Sequence, residues 1–503
     1  MTKPGSDRPA ARWPDGRVWV RLLGVVLLCL GSWRAEGLEH QDFTLNNGLR
    51  VILVREPKAP VAISQVWYRV GSVDEVEGKT GLSHMLEHMM FQGTPAVPAG
   101  EFHRLVGRNG GENNASTTHD ATSYYIKLAA DRIELALRLE ADRMRHLSLQ
   151  EEHFRSENQV VQEERRSRTD ADPNGRFLEK FQARAYGSHP YGRPVIGWMT
   201  DIQHYTVADL RAWYQRHYAP NNAVLVLVGD LDLAAMAQHV RDHFADLPAR
   251  PDLPQTLVSP YRPPPLPAAD EPVGLLELSA SQRLAVTDPG VTLPMWYGGY
   301  PVPTLLSEGR EDVFALDVLA TILGSGSNSR LYQKLVLEEG LAVSVSAHYG
   351  GFSRSWELFT LSATPKSPGG PPAPSLAASP EGNGEPTLVS RPDGAATGVT
   401  GAAALPRIEQ AILHEIDRLA REPVSERELQ RAKNGMIARH VFAHDSIHEL
   451  ASAIGLLSAN GIDWLSVVEE LPQKIEAVRA EDVQRVAARY LRPGHLVVGV
   501  LTP

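Results

Sequence analysis

Apolar and polar positions alternate with a period of two on either side of an Asn-Asn-Gly turn in "FTLNNGLRVILVRE" (43–56), a pattern that predicts a β-hairpin. "VAISQVWYRVGS" (61–72) continues as a strand, and "HDATSYYIKLAA" (119–130) and the apolar run "NNAVLVLVGDLD" (221–232) read the same way. Between them the period lengthens. "TGLSHMLEHMMFQGT" (80–94), "IELALRLEADRMRHL" (133–147) and "EEHFRSENQVVQEERRSR" (151–168) repeat their apolar positions at helical spacing. Strands and helices interleave, which predicts α/β or α+β layers rather than a helical bundle.

The pattern then starts again. "TVADLRAWYQRHYAPNNAVLVLVGD" (206–230) is echoed by "RAEDVQRVAARYLRPGHLVVGVLTP" (479–503), each a helix ending in tyrosine, then a proline turn and an apolar strand. The spacing from Tyr218 to Tyr490 is domain-sized, so two similar domains are expected, at 38–247 and 273–503. The proline-rich stretch at 248–272 reads as the linker between them. A second segment, 365–405, is rich in Pro, Gly, Ala and Ser and too poor in apolar surface to offset the entropy of ordering it, so it reads as a disordered loop insertion.

The first 37 residues carry several arginines followed by "LLGVVLLCLG", about ten apolar residues and the length of a signal-peptide core. Small residues in "AEG" suit a cut after Gly37, so the chain is expected to be exported, to the periplasm. An uncleaved membrane anchor and full secretion are the alternatives. Once the leader is removed, no stable membrane span is expected. The single cysteine, Cys29, lies in this leader, which leaves the remaining chain without thiolates. Any zinc must then be held by histidine and carboxylate. Overall the chain has 503 residues, 43% of them apolar, and a net charge of −10 without a basic stripe, which gives no reason to expect a nucleic-acid partner.

Candidate chemistry centres on residues 84–88. His84 and His88 stand four apart on a helix, about 5–6 Å from one another on one face, where two imidazoles can take adjacent corners of a tetrahedral zinc. Glu87 borders the same face but is poorly placed as a third ligand; it suits the role of a base beside a water that zinc has acidified. A packed helix that happens to carry histidines fits the five residues equally well, so a third ligand is required. The residues alone leave Glu163 and Glu164 both open for that part.

The H-x-x-E-H order resembles the inverzincin metallopeptidases, the family of pitrilysin, insulin-degrading enzyme and the mitochondrial processing peptidase. The resemblance extends over nearly all of the chain beyond the leader. It implies a zinc peptidase of α+β fold, two similar domains with mostly antiparallel sheets that form half of a clamshell. It implies Glu164, 76 residues after His88, as the third ligand to one zinc ion per chain, and Glu157, seven residues earlier, as the group that orients the ligands. It also implies that Asn114, Ala115 and Ser116 in "GGENNASTTHDATSYYI" lie on a sheet edge that pairs with extended peptide substrate.

One departure follows from the same resemblance. Family members usually bear an arginine and, seven residues on, a tyrosine near the substrate, where "LVLEEGLAVSV" has Val336 and Val343. Neither side chain can donate a hydrogen bond. The chain is therefore expected to be the zinc-bearing subunit of a heterodimer whose sister subunit supplies that pair; a non-catalytic docking subunit is the alternative. "LGSGSNSR" (323–330) lacks the Gly-Lys-Ser/Thr ending of a phosphate loop, and His103 and His119 read as surface or structural histidines.

Overall fold

The computed structural model describes residues 37–253, 282–366 and 399–503. The expected leader, most of the 248–272 linker and most of the 365–405 insertion lie outside these residues. The insertion's edges differ from expectation: Pro365 closes a strand, and Leu405 is buried at the start of a helix. Everything below concerns the compact unit Glu39–Pro503.

Two mixed sheets organise this unit. The first contains β1 (His40–Thr44), β2 (Arg50–Arg55), β3 (Val61–Tyr68), β4 (Glu112–Thr117), β5 (Thr122–Ala129) and β6 (Ala223–Gly229), in the order β1-β2-β6-β3-β5-β4. The second contains β7 (Arg283–Thr287), β8 (Met295–Val302), β9 (Ala342–His348), β10 (Glu357–Pro365) and β11 (Val497–Thr502), in the order β7-β11-β8-β10-β9. Without β1 the two orders coincide position by position. The parallel pair also falls in the same place, β2 with β6 and β7 with β11, among otherwise antiparallel neighbours. The echo around Tyr218 and Tyr490 marks this equivalence, each tyrosine ending the helix that leads into the central strand β6 or β11. All seven residues of β6 are buried, as a strand covered on both faces requires.

Helices pack on these sheets: α1 (Leu82–Met89), α2 (Glu134–His146), α3 (Glu151–Arg165), α4 (Pro173–Tyr186), α5 (Val207–His217) and α6 (Leu233–Phe244) in the first part of the chain. In the second part come α7 (Val313–Gly324), α8 (Leu405–Arg421), α9 (Glu426–Ala443), α10 (Ile447–Ala459) and α11 (Ala480–Tyr490). Two of them cross over. From α4, Phe177 and Phe181 are fully buried against the second sheet, where a Cβ on Gly499 would stand 2.6 Å from the Phe177 ring. From α10, Gly455 lies flat on Trp67 of β3, and a Cβ there would stand 2.0 Å from the indole nitrogen. Ser452 of α10 accepts a hydrogen bond from Gln65 of β3 at 3.1 Å. Each sheet thus completes its cover with a helix from the other half, and the boundary near 247–273 divides the chain but not the packing.

Candidate metal centre

Helix α1 begins at Gly81, whose φ of 88° and whose approach to the Ile196 carbonyl exclude a side chain. With no capping side chain of its own, the helix is capped from a distance. Both oxygens of the buried Glu75 accept backbone N–H groups, from Gly81 at 2.7 Å and Ser83 at 2.7 Å. Leu82, Met85, Leu86 and Met89 are buried and seat the helix, which leaves His84, Glu87 and His88 on the opposite side. The two rings lie 4.9 Å apart between centroids.

Helix α3 crosses this face and brings Glu164 to it. His88 Nε2 lies 3.3 Å from one Glu164 oxygen, and His84 Nε2 lies 3.8 Å from the other. Donor atoms of the three residues all fall within 4.8 Å of one another, the one such cluster of three or more metal-binding side chains among the described residues. Two ligands on a tetrahedral zinc, each about 2.0–2.1 Å from it, stand roughly 3.3 Å apart. The His88–Glu164 spacing equals that edge length and the His84–Glu164 spacing exceeds it by about 0.5 Å, so a small closing movement would fit the donor set to zinc. Two turns back on α3, Glu157 accepts from His88 Nδ1 at 3.1 Å and from Gln92 at 2.8 Å. A proton held on Nδ1 by that carboxylate makes Nε2, beside Glu164, the nitrogen that would bind a metal once its own proton leaves. Glu163 points away: its side chain is 71% exposed and paired with Arg166.

Electrostatics distinguish the two imidazoles. Burial, reinforced by the neighbouring His88, lowers the pKa of His84 to about 4, so it is neutral near pH 7 and ready to act as a ligand. Burial also works against charge on His88, but hydrogen bonds to Glu157 and Glu164 outweigh it and raise the pKa to about 9. Between these carboxylates the proton on His88 occupies the place of a cation. Zinc binding must displace that proton, so apparent zinc affinity is expected to rise about tenfold per pH unit up to about pH 9, and less steeply above it. Calorimetry in buffers of different ionisation enthalpy should register about one proton released per zinc at pH 7; no release would contradict the assignment.

Glu87 sits beside the donor set, and its carboxylate accepts from the Thr117 hydroxyl. Burial raises its pKa, partly opposed by that hydrogen bond and by His88. A raised carboxylate at such a position suits proton transfer near neutral pH. Glu164 behaves oppositely. Burial pushes its pKa up, but the His88 hydrogen bond and the charges of His84 and Arg168 bring it below the usual value. Arg168 reaches the same carboxylate at 2.5 Å from the turn that follows α3.

Asn114, Ala115 and Ser116 lie on β4, the end strand of the first sheet, opposite Tyr125, Tyr124 and Ser123 of β5. This strand ends at Thr117, so the sheet edge leads directly to Glu87. Val336 packs on the core of the second sheet, and Val343 is the second residue of β9, the topological counterpart of β4. His103 stacks on Phe91 at 4.8 Å, and His119 lies 3.3 Å from the Arg193 carbonyl; neither joins the donor cluster. Glu75, Gln92, Thr117 and Arg168 went unnoticed in the sequence. Only Gln92, one turn past His88, had a local signal.

Fold and donor set together define an α+β protein with a histidine–carboxylate cluster that could hold a metal ion. Residues 50–198 match the family model described as insulinase, peptidase family M16, and residues 204–373 match the peptidase M16 inactive domain. Zinc protease PqqE of Helicobacter pylori is 38% identical over 335 residues, covering 65% of this chain and 72% of that protein. An uncharacterized zinc protease of Bacillus subtilis is 24% identical over 454 residues, covering 88% of this chain and 94% of its own. The crystal structure of a protease from Helicobacter pylori superposes with a TM-score of 0.76 at 29% identity, over 93% of this chain and 100% of that one. Pitrilysin, at 17% identity and a TM-score of 0.70, shares the fold over 93% of this chain and 45% of its own. The chain belongs to peptidase family M16. In the second repeat α7, in the place of α1, is buried along nearly its whole length, and none of its residues joins the donor cluster found among the described residues.

Proposed function

We propose that the protein is a zinc-dependent endopeptidase acting on peptides or unfolded segments, with His84, His88 and Glu164 holding one zinc ion per chain. The observation that carries this reading is the convergence of those three donors beside a buried carboxylate, Glu87. Zinc held there supplies Lewis acidity toward water and a carbonyl oxygen. Glu157 keeps the His88 ring in its ligating orientation. An extended peptide adds to β4 as a further strand, its main chain bonding to the edge that carries Asn114, Ala115 and Ser116, so binding is tolerant of sequence. Glu87 takes a proton from the water as its oxygen bonds to the scissile carbonyl carbon. It gives that proton to the amide nitrogen as the C–N bond breaks, and Thr117 holds the carboxylate in place throughout.

Val336 and Val343 supply no donor to the developing oxyanion, which supports a heterodimer in which a sister subunit provides an arginine and a tyrosine. The arginine-rich, apolar leader supports export to the periplasm. The experiment is peptide cleavage by residues 38–503, alone and with a co-expressed sister subunit bearing the pair. A rate increase of at least about tenfold with the partner is expected, since one oxyanion donor is worth roughly 10²–10³-fold. Full activity of the chain alone, unchanged by the partner, contradicts the heterodimer. Zinc-loaded chain that cleaves nothing in either state supports a docking subunit instead.

A further inference from the structure

One side chain of the second repeat reaches two segments that support α1 and Glu87. Arg354 lies in the loop between β9 and β10, in the half of the chain that has no metal ligands, and only 9% of its side chain is exposed. Its guanidinium donates to both oxygens of Asp74, at 2.9 and 3.1 Å, in the fork geometry that makes such pairs directional. Its backbone N–H donates to Asp120 Oδ2 at 2.9 Å, and its guanidinium also reaches the Asp120 carbonyl at 3.3 Å.

Both carboxylates belong to supports of Glu87. Asp74 precedes Glu75, whose two oxygens cap the helix that carries His84, Glu87 and His88. Asp120 lies in the turn after Thr117, whose hydroxyl holds the Glu87 carboxylate. The two supports also touch each other: Ser72 and Val73 donate backbone N–H groups to the carbonyls of Thr118 and His119, at 3.2 and 2.9 Å. Arg354 closes this ring: its guanidinium is paired with the Asp74 carboxylate, and its charge also acts on the buried carboxylate of Asp120. Without the guanidinium, Asp74 loses its only cation and keeps the Gly71 N–H, and the buried Asp120 keeps the Tyr191 hydroxyl and a backbone N–H but loses the nearby positive charge, a loss that weakens both supports.

We propose that Arg354 is a positioning residue through which the metal-free repeat sets the helix of His84 and His88 and the carboxylate of Glu87; this rests on the peptidase reading above. A contact that merely glues the halves together explains less. The same loop is anchored independently, with Ser355 bonded to His189 at 2.8 Å and Trp356 packed on Tyr186 and His189, so the interface keeps most of its attachment without the guanidinium. What it loses is the guanidinium's grip on Asp74 and on the Asp120 carbonyl, one on each support of Glu87.

The test compares Arg354→Met, Arg354→Lys and Asp74→Asn in the full chain. Its readouts are zinc affinity by chelator competition, amide hydrogen exchange of residues 81–90 and 117–121, and peptide turnover. Arg354→Met is expected to weaken zinc binding roughly 10–100-fold, the usual cost of losing an outer support of a metal site. Exchange in both segments should speed up, and kcat should fall with KM unchanged within about twofold. Millimolar guanidinium ion should recover part of the zinc affinity in Arg354→Met but not in Asp74→Asn, and Arg354→Lys should fall between. Folded Arg354→Met with wild-type zinc affinity and exchange overturns the proposal. If that variant does not fold, Asp74→Asn decides by the same measurements, and wild-type values there overturn the proposal. Should the wild-type chain bind zinc yet cleave nothing, the peptidase reading fails while the affinity and exchange measurements still judge Arg354.

Discussion

Replacing Glu87 by glutamine is expected to leave zinc bound and to lower kcat by about 10²–10⁴-fold, the span of general acid–base catalysis. The substitution conserves shape, and the amide oxygen can still accept from Thr117, so α1 and both imidazoles keep their places. What disappears is the only function that an amide cannot perform, taking up a proton and giving it back. Because burial raises the carboxylate's pKa, the wild-type acid limb of kcat should also lie above the usual carboxylate range. The measurement pairs metal analysis with single-turnover kinetics on the active complex. Substantial residual hydrolysis with stoichiometric zinc would remove Glu87 from the mechanism.

A second large effect separates two adjacent residues. Glu164→Gln is expected to weaken zinc binding by at least about 100-fold, since it deletes a charged ligand and the loss exceeds that of an outer support. Glu163→Gln should bind zinc as the wild type does, because its side chain faces solvent and ends on Arg166, where substitutions change stability by about 0.5 kcal/mol or less. Chelator competition on the two variants measures both. Equal losses would mean that the α3 helix sits in a different rotation about its axis, and loss from Glu163→Gln alone would exchange the roles.

That pair also shows what the sequence made legible. His84 and His88 announce themselves because helical spacing is local: residues four apart meet whatever the rest of the chain does. Glu164 has no such signature. It is one of two adjacent glutamates on a charged helix, and only the resemblance to a known family prefers it. The structure brings it to the rings and turns Glu163 outward. Thr117, Glu75 and Arg354 were invisible for a simple reason. Each acts across a contact between segments whose relative placement no periodicity encodes, and for Arg354 the partner Asp74 lies 280 residues away.

The same limit applies to the architecture. Interleaved strands and helices predicted an α+β fold, and the tyrosine–proline–strand echo located the equivalent central strands β6 and β11. The crossing of α4 and α10 was not legible. An amphipathic helix declares that it has an apolar face but not which sheet will cover it. Phe177 and Phe181 on one side, and Gly455 on the other, acquire meaning only when their partners Gly499 and Trp67 are in place. This exchange has a functional reading too. Through α10 the second half covers the sheet on which α1 packs.

All of these expectations depend on the three donors sharing a single ion. Zinc K-edge X-ray absorption on the purified chain tests that most directly. Two imidazole nitrogens at about 2.0–2.1 Å, completed by oxygen, are predicted, with the imidazole signal dependent on both His84 and His88. A shell containing one imidazole or none would contradict the account.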